Sequence, residues 1–186
     1  MNPKTVTIAL ALLALCACHT QRHPVPTPAP GSVVMADRIS NQKVNGFAED
    51  RDGHIWIATS RGLNKFTDND FFQYFSTDDT LGLPDNQINA VHAAQNGSLW
   101  AATVFGVAVR TPQGSFRRIP VPGDNRNIGQ ILESRDGKLL FSNGSTLFLY
   151  DASQDALRPV IRDLNAFGTP PATLTPDGRQ IGRAHV

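Results

Sequence analysis

Cysteine is scarce in this chain of 186 residues, and so are long apolar runs and any excess of one charge. Both cysteines, Cys16 and Cys18, fall within the first 18 residues, so the remainder has no disulfide framework and no thiolate metal site. Basic and acidic side chains number 17 and 16, a formal charge of +1, spread along the chain. No basic run or face marks a nucleic-acid or anionic-lipid partner. The apolar run Val6–Leu15 has about ten residues, against roughly 20 for a membrane-spanning helix. A G-x-S-x-G elbow, a Walker loop and a dinucleotide fingerprint are absent. The histidines His19, His23, His54, His92 and His185 show no ligand spacing. Hence no cofactor, no metal ligand and no catalytic residue is assigned.

What is present begins with a leader. Residues 1–18 read as a signal peptide: Lys4 supplies the positive start, Val6–Leu15 the short apolar core, and small residues follow. Leu15-Cys16-Ala17-Cys18 resembles a bacterial lipobox, with Cys18 the better acylation site because bulky Leu15 precedes Cys16. Cleavage near Ala17 without lipidation is the alternative; a single free thiol in an oxidising compartment weighs against it. Residues 19–36 follow as a linker, with Pro alternating with small residues over His23–Gly31, an extended polyproline-like spacer.

From residue 37 to 179 one pattern repeats. Asp52-Gly53 opens a turn, Ile55-Trp56-Ile57-Ala58-Thr59 a strand, Gly62 a second turn, and Leu63–Phe66 another strand. The pattern returns with Gly97, Trp100 and Gly106, then with Gly137 and Leu140. The turn glycines at 53, 97, 137 and 178 step by 44, 40 and 41 residues. Four-stranded propeller blades need about 40–45 residues each. Val44 and Phe47 stand nine and six residues before Gly53, and Ile88/Val91 and Ile128/Ile131 keep those offsets before their own glycines. The fold expected is all-β, an incomplete β-propeller of about three four-stranded blades plus the start of a fourth.

Leu83-Pro84-Asp85-Asn86-Gln87-Ile88-Asn89-Ala90-Val91 with Gly97-Ser98-Leu99-Trp100, and Trp56–Thr59 with Gly62-Leu63 and Lys65-Phe66, resemble the repeat of the two-component regulator propeller family. That repeat reads D-x-x-G-x-I/L-W-I-G-T-x-x-G-L-x-R/K-F/Y. Ala58 and Ala102 stand where it often has Gly, and Leu140 where it has Trp. The resemblance implies an exported, periplasmic or outer-surface sensor propeller, the N-terminal part of a longer signalling protein. It implies an oligosaccharide or other small ligand held on loops at one propeller face, and a possible homodimer in the full-length protein. A kinase or diguanylate cyclase output would lie outside this chain, which itself is expected to be no enzyme. Membrane contact would come only through a lipid anchor or a helix beyond this sequence. A free-standing surface lipoprotein binding glycan or protein, and a propeller lyase or glycoside hydrolase, stay open as alternatives.

Individual residues carry further expectations. Asp50-x-Asp52-Gly53 lacks the further ligands of a calcium loop and reads as a hairpin turn. Trp56 and Trp100, identically placed, read as packing between neighbouring blades rather than a sugar platform. His54 reads as exposed. Phe105 replaces Arg61 just before the repeat glycine, and that difference points to a function-specific surface. The connections Thr77–Pro84 and Pro120–Arg126 read as exposed loops where specificity would live. Residues 180–186 resemble a translated sequencing adapter, so genuine sequence is expected to stop at Arg179.

Overall fold

A computed structural model describes residues 33–77, 82–162, 172–174 and 181–183. Among them there is no helix; fifteen strands form three antiparallel sheets and one separate pair. The first sheet holds β1 (Val33–Ala36), β2 (Val44–Glu49), β3 (Ile55–Thr59), β4 (Gly62–Thr67) and β5 (Asp70–Tyr74), in the order β1-β5-β4-β3-β2. The second is a meander of β6 (Ile88–Ala93), β7 (Leu99–Thr103), β8 (Gly106–Arg110) and β9 (Phe116–Ile119). The third repeats it with β10 (Gln130–Glu133), β11 (Leu139–Ser142), β12 (Leu147–Asp151) and β13 (Ala156–Ile161). β14 (Ala172–Leu174) pairs with β15 (Ile181–Arg183). The sheets are blades of an incomplete propeller.

Each blade starts from the same turn. Gly53, Gly97 and Gly137 hold φ of +80°, +87° and +76°, a left-handed conformation that costs other residues energy. Each donates its N–H to the residue three back: Asp50 at 3.0 Å, Ala94 at 2.8 Å and Ser134 at 2.9 Å. Gly62 is fixed for a second reason. With φ of +119°, a Cβ there would also stand 2.9 Å from the Phe75 ring.

Packing follows the repeat. Trp56 and Trp100 are 0% and 2% exposed and each faces the next blade. Trp56 lies 6.3 Å from Phe116 of β9, edge-on, and 5.3 Å from Tyr74 of its own blade. Trp100 lies 5.5 Å from Phe141 and 4.7 Å from Tyr150, both in the third blade. Two apolar clusters result, one per seam, each continuous across two blades. Burying such a ring removes roughly 150–250 Å² from water.

Two expectations are revised. Val33–Ala36, within the span read as spacer, is a strand pairing antiparallel with β5, Val33 opposite Tyr74 and Ala36 opposite Phe71. It covers an edge that four strands alone would leave bare. His54 is half-buried rather than exposed, with Nδ1 3.1 Å from Asp50 Oδ1.

Candidate functional site

Antiparallel order alone sorts the loops. In a four-stranded meander the first and third turns lie at one end, and the second turn and the link to the next blade lie at the other. The second turns here are Ser60-Arg61, Val104-Phe105 and Asn143–Thr146, and the links run over 75–87 and 120–129. Hydrogen bonds tie turns and links together. Gly62 N–H donates to Asn86 O at 2.6 Å, Val104 N–H to Gln87 O at 3.4 Å, and Ile128 N–H to Thr103 O at 3.0 Å.

A buried threonine shapes the second turn of the first two blades, where the third has Ser142. Thr59 and Thr103, both 0% exposed, donate their hydroxyls to Gly62 O at 2.7 Å and Gly106 O at 3.0 Å. The same oxygens accept from Arg61 N–H and Phe105 N–H, at 3.2 and 3.1 Å. The residue before the glycine is thereby presented outward, and it is Arg61 in one blade and Phe105 in the next. Phe105 is 66% exposed.

Beside Phe105 lies a cleft of about 450 Å³, walled by Pro84, Arg118, Pro120, Val121 and Arg126. The Arg118 guanidinium donates to three carbonyls, those of Thr77 and Gly82 at 3.4 Å and Leu83 at 3.1 Å, and so pins the link between the first two blades. A second cleft of about 220 Å³ lies on the other side of the 120–126 link, with Asp124, Asn125, Asn143, Ser145 and Arg162 in its wall. Phe105 thus meets Pro84 of one link and Pro120, Val121 and Arg126 of the other at a single cleft.

The opposite end is a set of locks. Asp50 Oδ1 accepts from Asp52 N–H and His54 N–H, both at 3.0 Å, while Oδ2 accepts from Trp56 Nε1 at 2.8 Å. Burial pushes the Asp50 pKa up, but the hydrogen bonds from Trp56 and His54 outweigh it and hold the carboxyl below its ordinary value. Ligand atoms of Asp50, Asp52 and His54 come within 4.8 Å of one another, yet both Asp50 oxygens already serve the turn and the indole. In the second blade Trp100 Nε1 donates to Ser98 Oγ at 2.7 Å, and Ser98 donates to Asn96 Oδ1 at 2.6 Å. Arg51 donates to Gln95 O, and Gln95 Nε2 to Ser134 O at 3.2 Å, so each blade's turn grips the next. His92 Nε2 stands 3.0 Å from Glu133 Oε2 across the same seam.

Two groups were not legible in sequence. Asn45 and Asn89 are extra residues at register shifts of β2 and β6. Such bulges re-aim a side chain. Asn45 Nδ2 donates to Ile88 O at 2.7 Å, and Asn89 Nδ2 to Ile128 O at 2.9 Å, latching each innermost strand to the start of the next blade. The equivalent position in the third blade is Gly129. The other is Arg110, whose guanidinium stacks 5.3 Å from the Trp56 ring centroid across the seam. The signal peptide 1–18 with Cys18, the turn glycine Gly178, and Gln180 and Ala184–Val186 of the adapter-like stretch 180–186 lie outside the described residues.

The family model described as two component regulator propeller matches residues 38–61, the first blade from just before β2 to its second turn. No curated protein matches the chain. Among solved structures, the extracellular domain of the putative hybrid two component system BT3049 from B. thetaiotaomicron is similar at 20% identity and a TM-score of 0.60. That match covers 77% of this chain and 23% of the other, so the chain spans about a quarter of that relative. The extracellular domain of the putative one component system BT4673 from B. thetaiotaomicron gives 19% identity, 69% and 18% coverage, and a TM-score of 0.58. Virginiamycin B lyase from Staphylococcus aureus gives 15% identity, 68% and 44% coverage, and 0.53. Likeness at this level reports the fold.

Proposed function

We propose that this chain, which carries the two-component regulator propeller repeat, is the blade region of an extracytoplasmic sensor that binds a small ligand, an oligosaccharide, at the cleft beside Phe105. The observation that carries the reading is the contrast at the second turns. The scaffold residues Thr59 and Thr103 repeat, while the residue they present changes from Arg61 to Phe105 over the cleft. A fixed frame with a varied residue at a concave surface is how a propeller acquires a specific site. Ligand at this end bridges turn and link, and it shifts the packing of paired sensor domains only through a difference in affinity between two arrangements. Kinase or cyclase output belongs to a segment or partner other than these blades.

Calorimetry of the full chain against an oligosaccharide panel tests this. Saturable binding, weakened about tenfold or more in Phe105→Ala with unchanged thermal unfolding, is the expected result. Absence of saturable binding across the panel refutes it. Export and anchoring through Cys18 complete the proposal. Cells expressing Cys18→Ala are expected to lose incorporation of labelled fatty acid, and unchanged labelling removes the anchor.

A further inference from the structure

We infer that the ligand of the Phe105 cleft is an acidic oligosaccharide, its carboxylate or sulfate group received by Arg126 and Arg118. The inference rests on the ligand-binding reading above and adds the charge of the ligand.

Arg118 and Arg126 both line the cleft, and no Asp, Glu or His stands among its described lining residues. Arg51 gives its guanidinium to a main-chain carbonyl and Arg110 to the Trp56 ring, whereas three other arginines meet carboxylates: Arg38 with Asp37 at 3.1 Å, Arg117 with Asp155, and Arg158 with Asp151 at 4.0 Å. Arg118 does not. Its partners are three main-chain carbonyls, neutral acceptors that fix the guanidinium without cancelling its charge. Arg126 is exposed and forms no ion pair among the described residues. Two permanent cations thus border one concavity whose described lining holds no anion, Asp124 belonging to the wall of the neighbouring cleft, in a chain whose overall charge is only +1. A guanidinium is planar, always charged, and matched to carboxylate and sulfate oxygens.

The remaining walls say what carries the anion. Phe105 offers an exposed ring, which suits the apolar face of a pyranose, and Pro84, Pro120 and Val121 add dry surface. At about 450 Å³ the cleft is in the range of small-molecule sites. The neighbouring cleft of about 220 Å³ shares the 120–126 link and offers amides and hydroxyls from Asn125, Asn143 and Ser145, with one charge of each sign from Asp124 and Arg162. A compact anion fills one of these. A chain of sugars fills both, with its acidic unit on the arginine side.

Calorimetric titration of the full chain with tri-galacturonic acid, with its methyl ester, with a sulfated κ-carrageenan tetrasaccharide and with its desulfated form tests the inference. At least one acidic probe is expected to bind, more weakly as salt rises. Blocking its charge is expected to cost about tenfold or more, as is Arg126→Gln, with Arg126→Lys intermediate. Arg126 is exposed, so unchanged thermal unfolding of its variants separates lost binding from lost fold. Neutral forms binding as tightly as acidic ones overturn the charge assignment and leave the ligand site standing. Binding of a tetraglutamate peptide without any glycan overturns the sugar assignment. Silence from every probe overturns both this inference and the reading it rests on.

Discussion

The two seams of the molecule use the same indole and hold it by different means. At the first, Trp56 hands its N–H to a carboxylate, Asp50, and is flanked by two cations, with Arg110 at 5.3 Å and Lys65 Nζ at 5.8 Å from the ring. At the second, Trp100 hands its N–H to a hydroxyl, Ser98, and its ring partners are Phe141 and Tyr150. One seam mixes apolar burial with charge, and the other relies on rings and a neutral relay. The repeat therefore prescribes a place for the ring and a partner for its nitrogen, while the chemistry of that partner is free to vary. The charged version has consequences of its own. Burial, aided by Arg110, pulls the Lys65 pKa down, and burial pushes that of Tyr74 up, both beside the same ring.

Removing the rings breaks both seams and gives the largest effects. Trp56→Ala and Trp100→Ala are each expected to cost about 3–5 kcal/mol in denaturant titration. A loss under about 1 kcal/mol at either would mean that the seam does not depend on its indole. Removing the handles sharpens the comparison. Asp50→Ala strips three donors of their acceptor and is expected to cost about 2 kcal/mol, against about 1 kcal/mol for Ser98→Ala.

Acid should separate the same pair. The folded Asp50 pKa lies below its unfolded value, so its stabilisation is complete above the unfolded pKa and disappears as pH falls through the folded one. Below about pH 4 the parent is expected to lose stability more steeply than Asp50→Asn, whereas Ser98→Ala should follow the parent. Parallel acid curves for parent and Asp50→Asn would show that the carboxylate contributes nothing to the first seam. Asn45→Ala and Asn89→Ala are the mildest, about 1 kcal/mol each by thermal unfolding, because each amide donates to one main-chain carbonyl of the next blade and to one side-chain oxygen, Ser60 Oγ at 3.4 Å for Asn45 and Asn127 Oδ1 at 2.8 Å for Asn89. Unequal losses would show that the innermost strands are latched differently.

The blade pattern was legible because its signals are local. A left-handed glycine, an alternating apolar strand and an offset of three from glycine to ring all lie within a few residues, and β2 to β13 follow them closely. Partnerships were not. Val33–Ala36 is four apolar residues after a proline-rich stretch, too short to read as a strand without knowing that β5 offers it an edge. Asp50 reads as a turn former, and only the fold brings Trp56 Nε1 to its second oxygen. Asn45 and Asn89 break the two-residue alternation, and a sequence does not announce a bulge. The site was half legible. Phe105 stood out against Arg61, but its company of Arg118 and Arg126 comes from another strand and another link.

The position of β1 sets how a pull on the residues before Val33 would be felt. β1 lies at the outer rim of the first blade, held by a ladder of four paired positions that begins with Val33 opposite Tyr74. Tension applied from that side loads the rungs in turn instead of all together. The rim strand would fray first, as a mechanical fuse, while the indole seams and the Phe105 cleft stayed unloaded.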